Sequence, residues 1–120
     1  MDRGLAGVRV LMAEDEFAIV AEVKQILSRH GCVVLGPSAK VATALDIVRA
    51  NPPDLVVTNI NLRGCMAHPL LRELDERGIP YIIITGDAAA LSHTEGALVL
   101  HKPTDETALI GALREVLGAG

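Results

Sequence analysis

Asp54-Leu-Val-Val-Thr-Asn59-Ile-Asn61-Leu-Arg-Gly64 reads as a buried strand that runs into a loop, its apolar residues continuous rather than alternating and its polar residues crowded at the carboxyl end. Continuous apolar strands are buried on both faces, as in parallel sheets flanked by helices. The neighbouring stretches repeat this design. Val8-Arg-Val-Leu-Met-Ala13 ends in Glu14-Asp15-Glu16, Ile82-Ile-Ile84 ends in Thr85-Gly86, and Leu98-Val-Leu100 ends in His101-Lys102-Pro103. Successive strand ends therefore deliver an acid pair, an amide, a hydroxyl and a lysine.

The strands are predicted at Val8–Met12, Cys32–Leu35, Leu55–Thr58, Tyr81–Ile84 and Ala97–Leu100, with Gly36-Pro37 closing the second. Between them, apolar residues at helical spacing predict helices. The first runs from Glu16 to Arg29 and is stopped by His30-Gly31; the second turns Val41, Ala44, Leu45 and Val48 inward and ends at Asn51-Pro52-Pro53. A third lies around Pro69 to Arg77, and the last starts near Thr104, where Thr104-Asp-Glu-Thr107 supplies a cap and an acidic first turn. The interval from Thr85 to Lys102 leaves room for about two helical turns, so a fourth helix there is expected to be short, mobile or absent.

Strands alternating with helices imply right-handed crossovers and one doubly wound, five-stranded parallel sheet, for which the order 2-1-3-4-5 is expected. In such sheets ligands bind beyond the carboxyl ends of the strands, at the switch point between strands one and three. Glu14, Asp15 and Asn59 would meet there.

Composition narrows the function. A chain of 120 residues is read as one domain able to bury its own core, and with aromatics at only 2% that core must be aliphatic. The net charge of −4 offers no basic footprint for nucleic acid. No apolar stretch is long enough to span a bilayer and Met1-Asp-Arg-Gly lacks a signal-peptide core, so a cytoplasmic location is expected. Cys32 and Cys65 are in no metal or redox spacing and read as ordinary thiols. His30, His68, His93 and His101 lie in different loops or helix ends and are expected to be solvated.

Taken together, the strand-end residues resemble the receiver domain of two-component response regulators, and the resemblance covers almost the whole chain. It implies a flavodoxin-like fold and a signalling module rather than an enzyme. It also implies a phosphoacceptor aspartate at the position of Asn59, with Mg²⁺ held by Glu14, Asp15, the residue at 59 and the backbone carbonyl of Asn61. Asp15 would be the direct ligand and Glu14 would act partly through water. By the same resemblance Thr85 and Lys102 would contact the phosphoryl group, and the Lys102-Pro103 bond is often cis. Partners implied are a sensor histidine kinase or a phosphotransfer protein, and a downstream protein; a homodimer is left open, and neither nucleic acid nor membrane is expected.

The tract Pro80-Tyr-Ile-Ile-Ile-Thr-Gly-Asp87 looks like a variant of the Phe-x-Phe-Ala-Thr-Gly-Tyr signature of certain single-domain receivers. The pattern is broken elsewhere. Val99 stands where receivers carry a switching aromatic, and Asn59 replaces the acceptor. An amide is nearly isosteric with a carboxylate but neutral and poorly nucleophilic, so an acyl phosphate cannot form on it and the Mg²⁺ site is weakened. The substitution is either engineered into a competent receiver or belongs to a natural receiver that signals without phosphate. The alternative from another class, a flavodoxin-like nucleotide or flavin binder, lacks the Gly-rich phosphate loop and the aromatic residues to sandwich a flavin.

Overall fold

The computed structural model describes residues 4–86, 97–102 and 104–118. In chain order its elements are β1 (Arg9–Ala13), α1 (Phe17–Arg29), β2 (Val33–Ser38), α2 (Val41–Ala50), β3 (Leu55–Asn59), β4 (Asn61–Leu62), β5 (Cys65–Met66), α3 (His68–Arg77), β6 (Tyr81–Thr85), β7 (Leu98–His101) and α4 (Glu106–Leu117). The long strands pair in parallel in the order β2-β1-β3-β6-β7, which is the expected 2-1-3-4-5 sheet.

The pleat divides the apolar residues between two layers. Val10, Met12, Leu55, Val57, Ile82 and Ile84 pack with Val23, Ile26 and Leu27 of α1 and Leu109 and Leu113 of α4. Leu11, Val56 and Ile83 pack on the other face with Ala44 and Val48 of α2 and Leu70 and Leu74 of α3. Every residue of β3 is buried, the polar Thr58 and Asn59 as well as the apolar run Leu55 to Val57. This central strand is a rigid support for whatever follows it.

Two features depart from the expectations. Gly36-Pro37 does not close β2; the strand continues to Ser38 through a register shift, pairing Leu11 with Leu35 but Ala13 with Ser38. A proline that cannot donate to a ladder is tolerated here because β2 is an edge strand and the pairing is bulged at that point. The extension lets the amide of Glu14 donate to Ser38 O at 3.0 Å.

The second departure is a hairpin, β4 with β5, within the stretch expected to be a loop after Asn59. Arg63 and Gly64 between its strands have φ of 51° and 84°, as the two central residues of a type I′ turn must. Glycine accepts that conformation freely, but arginine does so at a cost.

The fourth helix expected between Thr85 and Lys102 to be short, mobile or absent falls on residues outside those described, as does Pro103. Among the described residues no helix is long and apolar enough to cross a membrane.

Candidate functional site

Parallel register gathers the predicted site residues at one edge of the sheet. Ala13 pairs with Thr58, Asn59 with Ile84, and Thr85 with His101, so the residues that follow each strand fall side by side. Asp15, Glu16, Asn59, Asn61, Thr85 and Lys102 line one cleft of about 350 Å³. Glu14 lies beneath it.

Glu14 is 3% exposed and its carboxylate is heavily engaged. Oε1 accepts from the backbone amides of Asp15 (3.0 Å) and Glu16 (3.1 Å) and from the side-chain amide of Asn59 (3.3 Å). Oε2 faces Lys102 Nζ at 3.1 Å. Burial nevertheless dominates and pushes the Glu14 carboxyl above its ordinary value, against the opposing pull of the Glu16 amide and Lys102.

Asp15 has the opposite balance. Burial works to raise it, but the Arg63 amide, donating to Oδ2 at 2.9 Å, together with its Glu14 and Lys102 neighbours holds it below the usual aspartate value. The unexpected hairpin is thus what aims a donor at Asp15. Asn61 Oδ1 accepts from the Gly64 amide at 2.9 Å, closing the same turn.

Lys102 Nζ lies 2.5 Å from Glu16 Oε1 as well as near Glu14. Burial works to lower its pKa, and the two carboxylates reverse this and raise it. The ammonium is therefore charged across the physiological range. Its backbone amide donates to Thr85 O at 2.9 Å, which ties β7 to the end of β6. Thr85 is 1% exposed.

One oxygen each from Glu14, Asp15 and Glu16 lies within 4.8 Å of the others. Hard oxygen donors at this spacing suit a divalent cation such as Mg²⁺, which keeps several waters when one or two carboxylates bind it. Exposure separates their roles: Asp15 and Glu16 face the cleft, whereas Glu14 is buried and committed to its donors.

Glu16 was not among the residues singled out from the sequence, although the acidic run containing it was visible. The sequence predicts it as a helix start, and it does occupy the N-cap position of α1, yet its side chain makes no capping hydrogen bond. His30 corrects another expectation. Rather than being solvated, it pairs with Glu106 Oε2 at 2.8 Å, linking the end of α1 to the start of α4, and Arg29 pairs with the same carboxylate. His68 is half-buried at the start of α3. Cys32 is buried, Cys65 exposed, and both are free thiols.

The profile of the response regulator receiver domain matches residues 10–114. This chain belongs to that family, the receiver modules of two-component signalling. Among solved structures it is similar to SdrG from Sphingomonas melonis Fr1, with 28% identity, a TM-score of 0.83, and coverage of 92% of this chain and 97% of that one. It is also similar to a CheY-like receiver domain protein from Methanospirillum hungatei JF-1, with 26% identity, a TM-score of 0.83, and coverage of 95% and 96%. A curated relative is the transcriptional regulatory protein YvrH of Bacillus subtilis (strain 168), 31% identical over 87 residues, 69% of this chain. The chain spans 37% of that relative's length.

Nothing in these likenesses favours the nucleotide or flavin alternative. Phe17 is 86% exposed at the start of α1 and Tyr81 begins β6 at the far end from the cleft, so neither aromatic lines it.

Proposed function

We propose that this receiver acts by protein contact in a histidine-to-aspartate phosphorelay and accepts no phosphate at residue 59. The observation that carries this reading is the Asn59 side chain, which occupies the end of β3 inside the cleft and points its amide nitrogen at Glu14. Where a nucleophilic carboxylate would repel Glu14, a neutral donor binds it. Its amide has no anionic oxygen with which to attack a phosphoryl group.

In this reading residues 1–120 are one receiver domain, and its partner is a sensor histidine kinase or a phosphotransfer protein, with output through a downstream protein. The family membership supports that class of partner. Asp15, with Glu14 behind it and the Asn61 carbonyl beside it, would hold Mg²⁺ weakly in the Asn59 form; Thr85 and Lys102 would face a phosphoryl group. The bound ion would supply charge neutralisation at phosphoryl oxygens. With an aromatic absent at Val99, which is partly buried against the α2–α3 layer, switching by rotation of a ring is excluded at that position.

The test compares the chain with its Asn59→Asp variant, each incubated with acetyl phosphate and Mg²⁺ and analysed by intact-mass spectrometry. The variant should gain one phosphoryl group in a Mg²⁺-dependent manner while the unmodified chain gains none. Phosphate mapped to residue 59 of the unmodified chain, or an inert Asn59→Asp variant, would overturn the reading.

A further inference from the structure

We propose that a second cleft, at the amino edge of the sheet between the ends of α3 and α4, is a docking site for an arginine side chain presented by a partner protein. It lies at the opposite end of the strands from the acid cluster, and it stands whether or not residue 59 takes phosphate.

The helices run back along the strands, so the last turns of α3 and α4 reach the first residues of β6 and β7. There Asp75, Pro80, Tyr81, Leu98, Glu115 and Val116 line a cleft of about 500 Å³, within the size range of ligand sites. Its chemistry is one-sided. Among the described residues that line it none is basic. The acids held in the described ion pairs are Glu14, Glu16, Glu73 and Glu106, and Asp75 and Glu115 are not among them. Two carboxylates therefore share this cleft with the Tyr81 ring and with apolar Pro80, Leu98 and Val116.

Tyr81 is half-buried at the first position of β6, where pairing with Val56 fixes its register, and its side chain is hydrogen-bonded to Asp75. Burial, and after it the Asp75 charge, raises the Tyr81 pKa, so the hydroxyl keeps its proton and donates it to that carboxylate. The ring is thereby held beside an acid. A guanidinium suits such a place better than an ammonium: it is planar and weakly hydrated, and it stacks on an aromatic face while its N–H groups meet carboxylates. What presents the guanidinium follows from exposure. Asp75 and Glu115 are exposed, and exposed ion pairs contribute little by themselves, so a small free cation would stay hydrated here. A partner protein carrying the arginine also covers Pro80, Leu98 and Val116, which removes apolar surface from water and lowers the dielectric around both charges. The chain's net charge of −4 favours the approach of a basic segment.

The test follows the Tyr81 ring and the Glu115 and Val116 amides by NMR while the capped peptide acetyl-Gly-Leu-Arg-Leu-Gly-amide is added to the intact chain. All three signals should shift together and saturate. The same peptide with citrulline, which keeps the shape of arginine and loses its charge, should bind about tenfold more weakly, and ethylguanidinium alone should be weaker still than the arginine peptide. Asp75→Asn and Glu115→Gln should each lower the affinity by about threefold and the double variant by about tenfold, sizes expected of partly exposed charge pairs. Both acids are exposed, and circular dichroism verifies that the fold survives their replacement. The proposal is overturned if the arginine peptide leaves the three signals unmoved, if citrulline serves as well, or if the double variant binds undiminished. It is also overturned if ethylguanidinium matches the peptide, because the ligand is then a free organic cation and not a partner's side chain. Phosphate on residue 59 of the unmodified chain would bear on the other cleft alone.

Discussion

The side-chain amide of Asn59 donates to Glu14 Oε1 across 3.3 Å, joining the ends of β3 and β1 by a bond that an aspartate could make only if one of the two carboxyls took up a proton. Glu14 is already pushed towards its neutral form by burial. A second carboxylate at that distance would add repulsion where water cannot screen it, so the neutral residue relieves the floor of the cleft.

Asn59→Asp is accordingly expected to destabilise the metal-free domain by about 1–3 kcal/mol, the cost of replacing a buried hydrogen bond by an unfavourable pair. Mg²⁺ should return much of that loss, and should bind the variant more tightly than the unmodified chain. Urea unfolding of both forms, with and without Mg²⁺, provides the check. Equal midpoints without metal would show that the Asn59 contact contributes nothing.

Arg63 is the described non-glycine residue with positive φ. What the hairpin needs from it is the backbone amide given to Asp15. Arg63→Asn keeps that amide and suits the left-handed conformation better, so it should raise stability by about 0.5–1 kcal/mol. Thermal unfolding would reveal the gain. An unchanged or lower midpoint would mean the arginine side chain makes a compensating contribution.

Glu73 on α3 accepts from Arg49 of α2 at 3.1 Å and from Arg77 at 2.8 Å. The Arg49 contact, followed by that of Arg77, holds its carboxyl at about 2 rather than 4.5. Because the folded value is depressed, the stabilisation is complete above about 4.5 and is lost as pH falls from there towards 2. Glu73→Gln should flatten that part of the stability profile and leave its slope above pH 5 unchanged. Added salt should shrink the difference, since the partners are partly exposed. Urea midpoints across this acid range, for both chains, decide the matter.

Asp105 caps α4, its Oδ1 accepting from the Ala108 amide at 2.7 Å. Asp105→Ala should cost about 1 kcal/mol, and Asp105→Ser should recover most of it. Hydrogen exchange at Ala108 should rise in the alanine variant. Unchanged exchange there would show that the first turn is held by tertiary packing alone.

Much of this protein is written in local pattern. Apolar runs without alternation define parallel strands buried on both faces, helical spacing defines the helices between them, and Pro52-Pro53 or the left-handed Gly78 end those helices whatever surrounds them. The polar residues at the strand ends were legible for the same reason, because parallel strands joined by right-handed crossovers must place their carboxyl ends together. That the Asn59 amide is a poor nucleophile also follows from covalent chemistry alone.

Tertiary structure decided how those groups are spent among one another. Chain order does not say that β2 slips its register past Pro37, that the Arg63-Gly64 turn delivers an amide to Asp15, or that Glu16 leaves its own helix uncapped to reach Lys102. Nor does it say that His30 meets Glu106 across the molecule. Each of these is a choice between water and a partner distant in sequence. Local propensity is set by neighbouring residues, but pairing of polar groups depends on which partners packing brings within about 3 Å, and only the assembled sheet and its helices fix that distance.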